Sequence, residues 1–154
     1  MPKGAAEDLL KRITDKSKND GADILVVNGE LVFGADHVRS ALYHAKRAID
    51  EKRNASDSVA IETLLYISGE RQLSSAIRKM AVSDDTGTVV VAHLGGASVS
   101  PEEGWMPMPD RPGTADIARL KRFGISDKEI ESVSADKVVE LVLERVAAVD
   151  ILKK

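Results

Sequence analysis

Three histidines, two acidic pairs and one glycine-rich turn are the residues of this 154-residue chain whose types and spacing could support catalysis. His37 and His44 lie seven apart, one face of a helix, and His93 closes an apolar run. No carboxylate cluster beside them has ligand spacing, so structural or surface roles are expected for all three and no metal is expected. Asp84-Asp85 and Glu102-Glu103 fall in turn-like segments, where solvation accounts for acids without making a general acid and base. The stretch HLGGAS (93–98) offers N–H groups and the Ser98 hydroxyl to a phosphate, and a small hydrolase using His93 and the Gly95-Gly96 turn is one reading. It has no lysine and does not open directly into a helix, so the dipole that makes phosphate cradles work is missing, and a flexible strand exit is the plainer reading. G-x-G-x-x-G, a Walker loop, H-E-x-x-H and G-x-S-x-G are all absent. With no cysteine, disulfides, thiolate catalysis and Cys-ligated zinc are excluded as well. Neither a catalytic group nor a cofactor emerges.

Nucleic-acid binding is the other chemistry the residues allow, in two forms. Helix, glycine-containing turn, helix from Val59 to Ala81 has the outline of a helix-turn-helix that reads duplex DNA, with the strand after it as a wing. Its second helix, however, commits Leu73, Ala76, Ile77 and Met80 to packing and leaves Ser74, Ser75, Arg78 and Lys79 to reach bases. The second form is single-stranded RNA in a basic groove, its bases stacked on aromatics. Aromatics make up 3% of the chain, which excludes a broad stacking platform and leaves a small pocket of Tyr43 or Tyr66 with Arg39, Lys46, Arg71 and Lys79. For any one of these bases a solvated helix face is the plainer reading. Charge favours a local site: the net is −3, yet residues 37–80 carry 8 bases against 5 acids, while 1–36 carry 5 against 7 and 81–154 carry 9 against 13. A protein that coats duplex DNA would be basic overall, so no duplex DNA partner is expected.

The elements that must position these residues can be read from periodicity. Ala5 to Lys18 sets Leu9, Leu10 and Ile13 at helical spacing, with acids in the first turn and lysines in the last. Asp23 to Asn28 and Leu31 to Phe33 read as two strands joined by Asn28-Gly29, a hairpin signal. Asp36 is the expected N-cap of a helix to about Lys52, with Val38, Ala41, Leu42, Ala45, Ala48 and Ile49 inside and Arg39, Tyr43, Lys46, Asp50 and Arg53 outside. Helices follow over Val59 to Ile67, stopped by Gly69, and Leu73 to Ala81. Thr88 to Leu94 is apolar on both faces except His93, which predicts a central strand covered on both sides. A Pro/Gly-rich loop at 95–113 holds four of the five prolines, and its Trp105, Met106 and Met108 either anchor a partner or fold back as a plug, the latter favoured. Asp116 to Phe123 is a short helix, Ser126 to Glu129 a capping box, and Ser134 the expected cap of a last helix. On that helix Lys137, Glu140 and Glu144 share one narrow polar arc and aliphatics fill the rest, so burial on two sides is expected, by another layer of the domain or by a partner.

The motifs ETLLYISGERQLSSAIRKMAV (62–82), RLKRFGISDKEIESV and VVELVLERVAAVDI resemble the small accessory subunit of the KEOPS complex, the family called PRPK-binding protein in animals. The resemblance runs in order over most of the chain from about residue 23. It implies an α+β fold, a small, mostly antiparallel sheet flanked by helices in one domain over 1–154, with no catalytic activity and no cofactor. It also implies two partners: the atypical kinase/ATPase subunit of the complex, and tRNA, held by its unpaired 3′ CCA end while another subunit transfers a threonylcarbamoyl group to the adenosine beside the anticodon. Matched by motif, Gly69, Glu70, Arg71 and Gln72 become RNA-contact candidates, beside Arg39, Lys46 and Lys79 from the basic third. Leu143, Val146, Val149 and Ile151 on the apolar last helix become partner-contact candidates. No apolar run approaches the roughly 20 residues of a membrane span and no secretory signal is evident at the start, so no membrane partner and a cytoplasmic location are expected. A helix-turn-helix DNA-binding regulator is the alternative.

Overall fold

Leu9, Leu10 and Ile13 recur at helical spacing, and the chain winds into α1 (Ala5–Asp20) in the computed structural model, which describes residues 1–112 and 116–152. Gly4 at its N-cap has no side chain to offer, so the cap comes from far along the chain. The Asp84 carboxylate accepts the backbone N–H groups of Gly4 at 2.9 Å and Ala6 at 3.0 Å, which hold its carboxyl below the usual range. Gly21, at φ 68°, ends the helix.

β1 (Ala22–Asn28) comes next, and the expected hairpin does not form. A type I′ turn needs positive φ at both central residues, whereas Asn28 sits at φ −63°. Its side chain instead accepts the Glu30 N–H at 3.0 Å and opens a 3-10 turn over Gly29–Leu31. Gly29 donates its N–H to the Thr88 carbonyl at 2.7 Å, an approach that a Cβ would obstruct, since it would lie 2.9 Å from Thr88 Cγ2. Leu31, Val32 and Phe33 pass into the core without joining a strand, and β1 pairs antiparallel with β2 (Val89–Gly96), Val27 opposite Val90 and Leu25 opposite Ala92. The class is α+β, with a sheet of two strands among the described residues. The expected central strand, covered on both sides, is instead an edge strand: α1 and α3 pack against β1, only one edge of β2 is paired, and of its residues Leu94 alone is buried.

α2 (Ala35–Asp50) starts one residue before the expected cap. Its N-cap is Gly34, and its first N–H groups are satisfied by the loop after β2, Ala35 to the Pro109 carbonyl at 2.9 Å and Asp36 to that of Asp110 at 3.1 Å. Asp36 is thereby released from capping and pairs with Arg39 and Arg111. α3 (Val59–Ser68) is the centre of the core, with every residue from Glu62 to Ser68 buried. α4 (Leu73–Met80) buries Ala76 and Met80, while Ile77, expected in the core, is 48% exposed. An eight-residue helix seated on the end of α3 has only one line of contact to give.

α5 (Ile117–Phe123) is capped by Asp116, α6 (Asp127–Glu131) by the expected Ser126 and Glu129 box, and Ser134 precedes a 3-10 turn (Ala135–Lys137) rather than capping the last helix itself. α7 (Val138–Leu152) lies against α2 and α3. Val146 and Val149 are 0% and 1% exposed, so these two partner-contact candidates belong to the chain's own core, and only half-buried Leu143 and the 85%-exposed Ile151 remain at the surface. In the loop, Met108 folds back on the core as a plug, whereas Met106 is 87% exposed and Trp105 half-buried. Gly113 of that loop, and Lys153 and Lys154 of the expected last helix, lie outside the described residues.

A candidate nucleic-acid interface

The corner between α3 and α4 begins with Gly69, whose φ of 70° ends α3 and turns the chain. A Cβ here would lie 3.2 Å from Arg145 Cβ and 3.4 Å from the Phe123 ring, so small size matters as well as backbone freedom. Ser68 Oγ donates to the Leu65 carbonyl at 2.7 Å and accepts the Glu70 N–H at 3.1 Å, which fixes the chain direction into Arg71 and Gln72. Gln72 then stands at the N-cap of α4, and both Arg71 and Gln72 are exposed.

Lys79 does not share that surface. Its ammonium donates to the carbonyl of Ser68 at 2.6 Å and to that of Phe123, and lies 4.0 Å from the centre of the Phe123 ring. Burial pushes its pKa down, and the nearest carboxylate, Glu70, is 3.9 Å away. A cation already bonded to two carbonyls has little left for a phosphate. Lys79 braces the corner from below, and its expected place among the RNA contacts is corrected by its burial.

The buried side of the corner is set by His37, expected to be structural. Its Nδ1 accepts the Phe33 N–H at 3.1 Å and its Nε2 donates to the Ile67 carbonyl at 2.8 Å, an arrangement only the neutral ring can make. Burial lowers its pKa to about 4. Tyr66, proposed as a stacking aromatic, is fully buried, and its hydroxyl donates to Asp150. Asp150 also takes His44 Nδ1 at 2.8 Å and Arg53 at 3.1 Å; burial alone would raise its pKa, and these three partners outweigh it. Tyr43 is the exposed tyrosine of the pair. His93, the hydrolase candidate, has Nε2 2.8 Å from the Ala97 carbonyl and so faces backbone, not a nucleophile.

Ion pairing separates the arginines. Arg39 bonds Asp110 at 2.6 Å and Asp36 at 3.0 Å, while Arg12, Arg47, Arg53, Arg111, Arg122 and Arg145 each meet a carboxylate. Arg119 donates to the carbonyls of Gly29, Glu30 and Val32, clamping α5 to the 3-10 turn. Only Arg71 and Arg78 make no side-chain bond to a partner among the described residues, and both are exposed. Arg71 stands in the turn before α4 and Arg78 near the far end of that helix, with exposed Ser74 and Ile77 between them in the chain and no acid on the helix. Arg78 was named in the sequence only for the DNA-reading form, and Ile77 was missed because helical spacing assigned it to the core. Lys46 is exposed on α2, two turns beyond Arg39, and joins neither the corner nor an ion pair among the described residues.

Among the described residues no three His, Cys, Asp or Glu side chains cluster as a metal site, and no helix is long and apolar enough to cross a membrane. The family model for kinase binding protein CGI-121 matches residues 4–108, and the chain belongs to that family, the family of the KEOPS small subunit that its motifs resemble. No curated protein matches the chain. The matched stretch contains α1 to β2 and the whole α3 to α4 corner, while α5 to α7 lie beyond it.

Proposed function

We infer that this protein is the kinase-binding, non-catalytic subunit of a KEOPS complex and that it recruits tRNA through the 3′ CCA end, for threonylcarbamoylation by another subunit of the adenosine next to the anticodon. Membership of a kinase-binding family supports the first half. The observation that carries the second is a pair of exposed, unpaired arginines, Arg71 within the ISGERQL corner and Arg78 on the acid-free helix α4 that follows it. Arginine presents a planar, permanently charged fork suited to phosphate and to stacking on a base, and Ile77 between the two adds an apolar contact. In this reading Gly69 shapes the corner, Glu70 and Gln72 contact RNA with Arg71, and Arg39 lies toward the same end of the helical layer, since His37 joins the first turn of α2 to the last of α3. The kinase contact falls on the exposed apolar end of α7, Ile151 and Leu152, with Leu143 at its margin, and the site of action is the cytoplasm.

Intact tRNA is expected to bind more tightly than the same tRNA stripped of its 3′ CCA; equal affinities would dismiss recruitment through that end. For the kinase, Ile151→Glu is expected to abolish co-elution while the protein stays folded, because an unpaired charge in an interface costs several kcal/mol. Co-elution that survives Ile151→Glu would move the contact elsewhere. The DNA-binding alternative finds no support in the family.

A further inference from the structure

β2 is read from its sequence as a strand covered and paired on both sides, yet it stands at an edge. Its pairing with β1 fixes which backbone groups are satisfied. Gly29 and Thr88 are a hydrogen-bonded pair, and in an antiparallel ladder such pairs alternate, so Val90 and Ala92 turn their N–H and C=O groups to β1. Those of Val89, Val91 and His93 point away from it, and no backbone partner meets them among the described residues. Edge strands usually carry a lysine or a proline, and Val89–Gly96 has neither.

What stands beside this edge is a groove of about 480 Å³. The chain leaves β2, runs past α1, where Lys16 holds the Ser100 carbonyl and Arg12 pairs with Glu102, and returns toward the start of β2. Leu9, Val89, Val91, Trp105, Met106 and Pro107 line the space, and none of the lining residues is charged.

We propose that this groove takes an extended, uncharged peptide segment of another polypeptide, which pairs with the outward edge of β2 as a third strand and packs alternate apolar side chains against Trp105 and Met106. The outward row of donors and acceptors at two-residue spacing selects an extended backbone, and the neutral lining selects uncharged side chains. The Trp105 to Pro109 wall supplies the apolar pockets that give such strand addition its side-chain preference. This surface is separate from the α4 face and stands or falls without the RNA reading.

Amide-resolved NMR with a blocked peptide of about nine residues alternating valine and threonine tests the proposal. In the free protein the amides of Val89, Val91 and His93 should exchange quickly and those of Val90 and Ala92 slowly. Adding the peptide should shift the first three and slow their exchange. A peptide N-methylated at every second residue, which needs no change to the protein, should lose binding, and Val91→Pro should weaken it about tenfold, one backbone hydrogen bond's worth. Edge amides already protected in the free protein, whether by the loop or by self-association, would overturn the proposal. So would the absence of shifts at millimolar peptide, or binding indifferent to N-methylation.

Discussion

α2 and α4 are both arginine-bearing helices of the chain's one basic third, and they put their arginines to opposite uses. On α2, Arg39 and Arg47 lie against Asp36, Asp110 and Glu51, and Arg53 just beyond joins Glu51 and Asp150. On α4, Arg78, with Arg71 just before it, faces no acid among the described residues. Formal charge per segment cannot tell these helices apart; partners brought by the fold can. A guanidinium already neutralised by a carboxylate must give up that contact to bind phosphate, whereas Arg71 and Arg78 give up only water.

The comparison can be broken by reversing charge on each helix in turn. Arg71→Glu with Arg78→Glu should cost tRNA binding about 100-fold, while Arg39→Glu with Arg47→Glu should cost less than about fivefold, each loss being read in a filter-binding or anisotropy titration. Equal losses would mean that pairing does not decide availability.

The buried contacts behind the two helices predict the next effects. His37 has a folded-state pKa of about 4 against an ordinary value of 6.5, so below the latter the unfolded chain takes up a proton that the folded one refuses. Its contribution is fully present above about pH 6.5 and is lost as pH falls toward 4, on the order of 2–3 kcal/mol, visible in denaturation midpoints across that range. The slope from this group should vanish in His37→Phe. Lys79→Met removes two charge-assisted bonds under the corner and should cost about 1–3 kcal/mol in chemical denaturation. A surface lysine would cost almost nothing. Smallest of all, Asp110→Asn frees one of Arg39's two acids and should tighten tRNA binding by roughly twofold, sharpening the contrast by making α2 resemble α4.

What could be read from the sequence follows the range of the interactions. α1, α3, α5 and the Ser126 box are specified by residues within a turn or two of each other, and their positions were legible. The hairpin was not, because the signal of Asn28-Gly29 is local while the bond that defeats it, Gly29 to Thr88, joins distant residues. An apolar run such as Val89 to Leu94 suggests a strand covered on both faces and says nothing of its edges; in the fold Val89 to Ala92 are half-buried and one edge is unpaired. At the candidate site, Lys79 and Arg71 look alike in sequence, and only the Phe123 carbonyl and ring, contributed from α5, reveal that Lys79 is a brace. Val146 and Val149 could not be told from Ile151 on a helix that is aliphatic almost all round, until α2 and α3 took up its sides.

The salt dependence of tRNA affinity, compared between the wild-type protein and Arg71→Ala with Arg78→Ala, tests the central claim most directly. Two contacts to a single-stranded end account for about 1.4 units of the slope of log K against log salt, so the double variant should lose about that much and no longer distinguish intact tRNA from tRNA without its CCA. An unchanged slope, with the preference for the intact end retained, would contradict the assignment of this face to RNA.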